Sequence, residues 1–367
     1  MSKRLWKKAC AFLLTVCMLV TMLPVSALAA DDPDVPEYDP PDGWVEGDKT
    51  AIDGTNLCWK YYYTYGSDAS GPYLKAELII YKDPAAGVDG NYDMIDYTAA
   101  AGEGAAPWRQ NENVRYDSIY IAEGVTGIGD YAFAQMDTLT NIKIADPASL
   151  KDIGAHAFEG DDELVGPIDL SGLTTLGEYA FNGCSQLGEI TLGNELKEIP
   201  NYAFNNCGLQ DIEIPAGVTS IGSHAFAANS FSAAGDFVLP DGLTAIGDYA
   251  FHRELNFGEN TGFTSVTIPG SIQSIGENAF YNHRQMATVT IKDDGIENTH
   301  ITVGDRAFGH TSYTAYAKQG TISDEHNQDI QYEGTIGTSF LLPQDIAESN
   351  VLINGTNCYT GDISPMK

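Results

Sequence analysis

The hexapeptide "IGDYAF" occupies residues 128–133 and returns unchanged at 246–251. Six near-copies, "IGAHAF", "LGEYAF", "IPNYAF", "IGSHAF", "IGENAF" and "VGDRAF", end at Phe158, Phe181, Phe204, Phe226, Phe280 and Phe308. Successive Phe residues in this series are separated by 22 to 29 positions. A repeat of this length is typical of a solenoid, in which each unit packs only against its neighbours.

One complete unit spans residues 209–229, "LQDIEIPAGVTSIGSHAFAAN". The alternation in "DIEIP" predicts a short strand with Ile212 and Ile214 in the core and Glu213 in solvent. Pro215 ends this strand because proline has no amide hydrogen for a sheet. The following "VTSIG" predicts a second short extended segment that buries two more apolar side chains.

The repeated hexapeptide, which we call the phrase, predicts a turn, a short helical turn and a core side chain. Gly222 permits a sharp turn, and Ser223 can then cap a helical turn that carries Ala225 and Phe226. Most residues at this capping position are N-cap or acidic residues, and across the eight copies they are Asp130, Ala155, Glu178, Asn201, Ser223, Asp248, Glu277 and Asp305. A single unit buries too few apolar groups to offset its ordering entropy, so units stacked about 4.8 Å apart must share one continuous core.

The chain begins with the features of a secretory signal peptide. Four basic residues precede an apolar run at 9–23, and Ala27 and Ala29 stand where a cleavage site needs small side chains. The run is shorter than the roughly 20 residues that a membrane-spanning helix needs. We therefore expect export with removal of residues 1–29, and no membrane span in the rest of the chain.

The charge balance limits the possible partners. Removal of residues 1–29 leaves 15 basic side chains against 51 acidic ones. This excess argues against nucleic acid or an anionic membrane surface as a partner. It is typical of a soluble extracellular protein, and the alternative of loose cation binding is not supported by any spaced calcium loop. We predict no metal and no cofactor.

Four cysteines remain after cleavage, and none forms a Cys-x-x-Cys pair, so the chain is not a disulfide scaffold. Cys184 and Cys207 occupy one column in adjacent repeats, where stacking would place their Cα atoms about 5 Å apart. A disulfide accepts that spacing, so a bridge and two free thiols both remain open. Cys58 and Cys358 flank opposite ends of the repeats and are predicted not to pair.

The composition divides the chain into five regions. We predict a signal peptide at 1–29, an acidic Pro-rich linker at 30–43 and an N-terminal β-rich cap at 44–118 that does not share the repeat period. The repeats occupy 119–318. The region 319–367 is a C-terminal cap or the start of a truncated segment.

Residues 187–226, "LGEITLGNELKEIPNYAFNNCGLQDIEIPAGVTSIGSHAF", resemble the BspA-like leucine-rich repeats of secreted and surface bacterial proteins. The segment before the repeats is also similar to that family, through "GTNLCWK" at 54–60, "ELIIY" at 77–81 and "APWR" at 106–109. The resemblance covers about residues 54–318.

The resemblance implies an α/β, strand-dominated leucine-rich-repeat solenoid with short strands, short helical turns and an N-terminal β cap. About eight repeats of 22–29 residues would form it. It also implies adhesion or protein binding at the surface of a bacterium or outside it, with no catalytic residues. It further suggests that Cys184 and Cys207 are free thiols packed as small apolar groups.

No catalytic motif is present among the nucleophile elbow, zinc-protease and phosphate-loop patterns. His156 and His224 belong to a repeat column, and Cys358 with His310 or His326 would lie in a region too short for a protease domain. Two classes of function remain. The first is a non-catalytic extracellular binding module, and the alternative is the substrate-binding portion of a larger secreted enzyme whose catalytic domain is not in this chain.

The residue before the invariant Ala-Phe varies, and six of the eight are rings that can donate hydrogen bonds: Tyr131, His156, Tyr179, Tyr202, His224 and Tyr249. Stacked at about 5 Å, these rings would form a ladder along one flank of the solenoid. They either shield the edges of neighbouring repeats or form a recognition strip for an extracellular protein or glycan. The acidic background favours a basic or glycan partner.

Overall fold

The computed structural model describes residues 44–69, 71–83, 92–101, 104–110, 114–231, 236–253 and 262–283, followed by the short segments 288–292, 300–304, 307–308, 314–316, 321–323, 329–330, 350–353 and 356–357. The predicted signal peptide and linker lie outside these residues, as do Cys358 and most of the predicted C-terminal region. Within the described residues no helix is long and apolar enough to cross a membrane.

The described residues are organised by short strands and one single-turn 3₁₀ helix at Pro107–Gln110. The strands, in chain order, are β1 (Val45–Ala51), β2 (Leu57–Asp68), β3 (Gly71–Lys82), β4 (Val114–Ile121), β5 (Gly127–Ile128), β6 (Asn141–Ile144), β7 (Asp152–Ile153), β8 (Ile168–Leu170), β9 (Thr175–Leu176), β10 (Ile190–Leu192), β11 (Glu198–Ile199), β12 (Ser220–Ile221), β13 (Asp236–Val238), β14 (Ala245–Ile246), β15 (Ser265–Ile268), β16 (Ser274–Ile275), β17 (Thr288–Ile291), β18 (His300–Val303), β19 (Thr314–Tyr316), β20 (Thr321–Ser323), β21 (Asp329–Ile330), β22 (Asn350–Ile353) and β23 (Thr356–Asn357).

The N-terminal cap is a sheet of strand order β1-β2-β3-β4-β6. Strands β1, β2 and β3 pair antiparallel, whereas β3 with β4 and β4 with β6 pair parallel. The last two pairs carry the sheet from the cap into the first repeat without a break. The cap therefore supplies the first neighbour that the solenoid core needs.

The repeats form a strand-dominated leucine-rich-repeat solenoid, which we describe as a stack of rungs, one rung to each repeated phrase. Parallel ladders join each short strand to its counterpart one rung later, as in Ile199, Ile221, Ile246 and Ile275. These ladders run β5-β7-β9, β8-β10, β11-β12-β14-β16-β18-β20 and β13-β15-β17-β19-β22. The strands β21 and β23 then pair antiparallel with β20 and β22.

A column of phenylalanine rings fills the interior. All eight Phe residues of the repeated phrase are at most 1% exposed. Neighbouring rings in the column have centroids 5.0–5.5 Å apart. Trp108, from the "APWR" segment, stacks on the first of them, Phe133, at 5.5 Å and so closes the N-terminal end of the column. Each buried Phe contributes about 2–3 kcal/mol to stability.

The predicted inward and outward positions of the unit at 209–229 are confirmed, although its first strand is not. Ile212 and Ile214 are buried and Glu213 is exposed. Residues 211–215 nevertheless form no strand. The amide of Ile212 donates to the side chain of Asp211 at 2.9 Å instead of to a neighbouring strand.

The glycine of the repeated phrase is required by close approach of the backbone, not by a turn. A Cβ on Gly222 would stand 2.6 Å from the amide nitrogen of Asn201, and one on Gly247 would stand 2.5 Å from that of Ser223. Real Cβ atoms essentially never come so close. The left-handed backbone conformation falls two residues later, at the variable residue, where His224 has φ of 55°.

The predicted helical turn after that glycine is wrong. A left-handed residue cannot continue a right-handed helical turn, and the phrase folds as turns instead. Three of the residues predicted to cap a helix instead bond to the backbone of the following rung. Asp130, Asn201 and Asp248 accept through Oδ1 from the amides of Ala155, Ser223 and Glu277, respectively, at 2.6–2.8 Å.

Residues 93–97, "DMIDY", form a partial rung inside the cap, although we predicted that this region does not share the period. Asp93 forms a parallel bridge with Gly127, and the amide of Tyr97 donates to the carbonyl of Asp130 at 2.9 Å. The amide of Tyr131 bonds in the same way to the rung after it, at 3.0 Å. The signal in the sequence is the likeness of "MIDY" to "IGDY", without its glycine.

Candidate binding site along an aromatic ladder

The six predicted rings form one continuous stack, which we call the aromatic ladder: Tyr131, His156, Tyr179, Tyr202, His224 and Tyr249. Neighbouring ring centroids lie 4.5–4.8 Å apart, and neighbouring planes are within 8° of parallel. All six side chains are partly exposed. The structure therefore brings together every residue of the predicted strip on one flank of the solenoid.

The backbone of the ladder is left-handed at every step. The φ angles of its six residues lie between 54° and 59°, and Asn278, at the same position in the next rung, has φ of 52°. Non-glycine residues occupy this region rarely. The ladder amides donate to carbonyls of the next rung, as Tyr179 does to Asn201 at 3.1 Å and Tyr202 to Ser223 at 3.0 Å. The rings are thus fixed in register by the backbone of each rung.

The stacking decides which part of each ring can meet a partner. Because the rings cover one another's faces, a ligand beside the ladder meets ring edges and the polar tips. The edge of an aromatic ring is its electropositive part, and the tips carry hydroxyl and imidazole groups. The ladder is therefore a periodic row of hydrogen-bonding groups rather than a set of open apolar faces.

A row of polar side chains runs beside the middle of the ladder, one residue after Phe158, Phe181 and Phe204. Glu159 contacts His156 Nδ1 at 2.6 Å through Oε2 and accepts from Asn182 Nδ2 at 2.9 Å through Oε1. Asn205 Nδ2 in turn donates to Asn182 Oδ1 at 2.8 Å. These bonds cross three rungs and hold the row in place. Sequence analysis missed it, although aligning the phrases would have shown these residues in one column.

A second polar row lies on the other side, at the position predicted as the helix cap. Asn201 Nδ2 donates to Glu178 Oε1 at 2.9 Å, and the hydroxyl of Tyr249 donates to Glu277 Oε1 at 3.2 Å. Among the described residues of the ladder and of these two rows, no Lys or Arg occurs. The site is therefore acidic, with hydrogen-bond donors from tyrosine and asparagine.

Burial shifts the pKa values of three ladder rings, Tyr179, His224 and Tyr249, toward their uncharged forms. Burial raises the pKa of the Tyr179 phenol above its ordinary value, and the neighbouring Tyr202 and Glu178 raise it further. Burial and Glu277 do the same to the pKa of Tyr249. Burial lowers the pKa of His224, although the carboxylate of Asp248 acts in the opposite direction. These three rings are therefore uncharged near pH 7, and the charges beside them are carboxylates.

A column of buried polar groups lies in the interior, three residues after the Phe in five of the rungs: Asp161, Cys184, Cys207, Asn229 and His283. Cys184 and Cys207 are free, fully buried thiols in this column, as the family resemblance suggested. Their Sγ atoms donate to the carbonyls of Phe158 and Phe181, at 3.1 and 3.0 Å. Burial raises the pKa of both thiols, so neither is a reactive nucleophile. Cys58 is also buried. The prediction that it does not pair with Cys358 involves a residue outside the described ones.

Asn229 and His283 continue this column with the same hydrogen bond. Asn229 Nδ2 donates to the carbonyl of Phe204 at 2.8 Å, and His283 Nε2 donates to that of Phe251 at 2.7 Å. His283 Nδ1 accepts from the amide of Phe263, so the ring is neutral, and burial lowers its pKa to about 3. None of the column reaches solvent, so it belongs to the core and not to the candidate binding strip.

Across the described part of the chain, no three His, Cys, Asp or Glu residues are grouped to hold a metal ion.

Together the stacked rungs, the internal Phe column and the flanking strip define a leucine-rich-repeat solenoid. The sequence matches the BspA type leucine rich repeat region over residues 111–233, 167–261 and 254–328, in six copies. These matches span more than half of the 367 residues, so the chain belongs to this family. Its members are leucine-rich repeat proteins, which are generally not enzymes.

Solved structures of bacterial proteins are similar to this chain. A leucine rich cell surface protein from Faecalibacterium prausnitzii is 19% identical, with a TM-score of 0.42 over 71% of this chain and 76% of that one. The T. pallidum leucine rich repeat protein is 20% identical, with a TM-score of 0.38 over 68% and 86%. A leucine-rich repeat protein from Bacteroides ovatus is 20% identical, with a TM-score of 0.34 over 48% of this chain and 55% of that one. A search of curated proteins found no match.

Proposed function

We propose that this protein is a non-catalytic extracellular binding protein that captures a partner along the aromatic ladder. Family membership suggests a protein-interaction or surface role, and proteins of the BspA type are typically bacterial surface or secreted proteins. The observation that carries the proposal is the stack of six partly exposed rings in one register. Rigid amphipathic rings supply contact area at low entropic cost.

The charge of the strip selects the chemistry of the partner. Carboxylates of Glu159, Glu178, Asp248 and Glu277 flank the rings, and the ring tips carry hydroxyl and imidazole groups that can form hydrogen bonds. A basic protein surface would gain from these carboxylates, and an anionic one would be repelled. We therefore place a basic extracellular protein first, and a neutral glycan, which uses only the hydrogen bonds, second.

The test replaces the middle of the ladder by a residue that its backbone accepts. Asn278 occupies the ladder position with φ of 52°, so the triple variant Tyr179→Asn, Tyr202→Asn, His224→Asn removes rings without adding strain. Binding is measured against a panel of basic matrix proteins and neutral glycans. We expect at least tenfold weaker binding of the partner found with the unmodified protein.

A matched control changes three exposed residues on another face of the solenoid, Asp169→Asn, Thr191→Ser and Glu213→Gln. This control should bind as the unmodified protein does. If the ladder variant keeps its circular dichroism spectrum and binds equally well, the rings only shield the rung edges and the partner binds elsewhere.

A further inference from the structure

Two phenol rings are adjacent at only one step of the aromatic ladder. Its order is Tyr, His, Tyr, Tyr, His, Tyr. At each remaining step of the ladder, a tyrosine therefore stacks on a histidine. Tyr179 and Tyr202 stack with centroids 4.6 Å apart and planes 5° from parallel. Both side chains are partly exposed, so a small oxidant in solution can reach them.

We propose that Tyr179 and Tyr202 form a site of oxidative modification, at which a dityrosine cross-link joins two neighbouring rungs. The oxidant is hydrogen peroxide acting through a peroxidase, which removes one electron and one proton from each phenol. The two radicals couple through the ring carbons ortho to the hydroxyls, and the hydrogen on each of these carbons then moves to the oxygen. One C–C bond forms, two ring C–H bonds break, and one hydrogen peroxide becomes two waters.

The rung backbone favours coupling inside this pair. The amide of Tyr179 donates to Asn201 at 3.1 Å and that of Phe181 to Ala203 at 2.9 Å, so the two rungs cannot separate while folded. A radical on one ring therefore always has the other ring beside it. The ortho carbons need only a rotation of two partly exposed side chains to approach each other.

Three tyrosine pairs in the cap are less suited to coupling. Tyr61 and Tyr63 lie 5.9 Å apart with planes at 41°, and Tyr63 and Tyr65 lie 5.9 Å apart with planes at 88°. Tyr61 and Tyr116 lie 6.0 Å apart with planes at 86°. These wider and tilted pairs provide an internal comparison within the same molecule. The ladder pair should react first.

The cross-link has a structural consequence in the middle of the solenoid. It closes the chain between Tyr179 and Tyr202 into a loop, which restricts the unfolded state. Oxidising conditions outside a cell would thus make the central rungs harder to unfold. This property is independent of the partner that the ladder binds.

The experiment treats dilute full-length protein with a peroxidase and hydrogen peroxide, then isolates the monomer. We expect dityrosine fluorescence and one major cross-linked peptide pair, containing Tyr179 and Tyr202, lighter by two hydrogen atoms. Tyr202→Phe keeps a ring in the stack and should abolish this peptide pair. Tyr131→Phe, the matched control beside a histidine, should leave its yield unchanged.

A gain-of-function variant tests the same geometry in the other direction. His224→Tyr places one new phenol between Tyr202 and Tyr249, so new cross-linked peptides should appear at both steps. The proposal is overturned if the folded monomer links other tyrosines while the pair of Tyr179 and Tyr202 stays unlinked. It is also overturned if denaturant leaves the yield of that pair unchanged, because the stack would then be irrelevant.

Discussion

Asp161 breaks the pattern of the buried polar column and gives a sharp prediction for stability. Its side chain is fully buried, and Oδ1 accepts from the amide of Met136 at 2.7 Å. Among the described residues Oδ2 has no hydrogen-bond partner. The other described polar members of the column each donate to the carbonyl of the Phe one rung earlier. For Asp161 the corresponding residue is Phe133. A carboxylate cannot make this bond, whereas a protonated acid or an amide can.

The electrostatic environment agrees with a protonated acid. Burial raises the pKa of Asp161 well above its ordinary value, and Asp137 and Asp162 add to the rise. The Met136 amide and the charge of Arg109 act in the opposite direction. The hydrogen bonds of Arg109 go to the carbonyls of Ala100 and Gln135, so its guanidinium does not neutralise Asp161 through a direct bond.

We predict that Asp161→Asn stabilises the protein at pH 7 by about 1–3 kcal/mol, because an amide can make the bond to Phe133 as it stands. The buried acid must instead take up a proton above its unfolded pKa or leave Oδ2 unsatisfied. The direction in which stability changes with pH follows from the number of protons bound by the folded and the unfolded state. The folded pKa is raised, so the contribution of Asp161 is complete below its unfolded pKa of about 3.9 and is lost as pH rises through the folded pKa. The unmodified protein should lose up to about 1.4 kcal/mol per pH unit in that window, and the variant should not.

The assay is urea unfolding between pH 4 and pH 8, followed by tryptophan fluorescence. Trp108 is a suitable probe because its indole donates to the carbonyl of Ala132, next to Phe133. Asp162→Asn, which removes an exposed charge beside the site, is the control and should change stability by less than about 0.5 kcal/mol. If Asp161→Asn lowers stability at pH 7, or keeps the pH dependence of the unmodified protein, the carboxylate is ionised and the reasoning is refuted.

Three further predictions test the packing of the solenoid. Phe204→Ala should destabilise the protein by about 3–5 kcal/mol, because Phe204 is fully buried. Glu213→Ala, at an exposed position, should cost under about 0.5 kcal/mol. Equal urea midpoints for the two variants would contradict the assignment of buried and exposed positions. Gly247→Ala should cost about 1–3 kcal/mol in thermal unfolding, because its Cβ would stand 2.5 Å from a backbone nitrogen, whereas Gly242→Ala meets nothing nearer than 3.9 Å and should be neutral. Cys207, buried with a raised pKa, should react with a thiol reagent only after denaturation, and rapid labelling of the folded protein would exclude the buried-thiol column.

The solenoid could be predicted because its determinants are periodic. A Phe every 22–29 residues and alternating apolar residues before it define the core positions without reference to distant parts of the chain. The six ring positions followed from the same alignment, since residues in one column stack when the rungs do. The domain boundaries remain predictions, and the signal peptide and linker fall outside the described residues.

The local conformation of the phrase could not be predicted from residue preferences. An acidic or polar residue after glycine is also an ordinary helix start, so Asp130 and Asn201 looked like caps. In the solenoid the amide of the next rung lies nearer than any helical amide, and their side chains bond to it instead. The partial rung at 93–97 escaped notice because Ile95 stands where seven of the eight repeated copies have glycine.

The rings of the ladder are not explained by stability alone. A tyrosine or histidine in the left-handed region is strained by about 1–2 kcal/mol relative to a residue that prefers it. Stacking of two aromatic rings stabilises the folded state by about 0.5–1.5 kcal/mol per pair. The two effects nearly cancel, and Asn278 shows that this backbone accepts a side chain with little strain and no ring. Six consecutive rungs nevertheless carry rings, each of them partly exposed and stacked on its neighbours. The core therefore does not demand these rings, which supports the proposal that a partner contacts the exposed edge of the ladder.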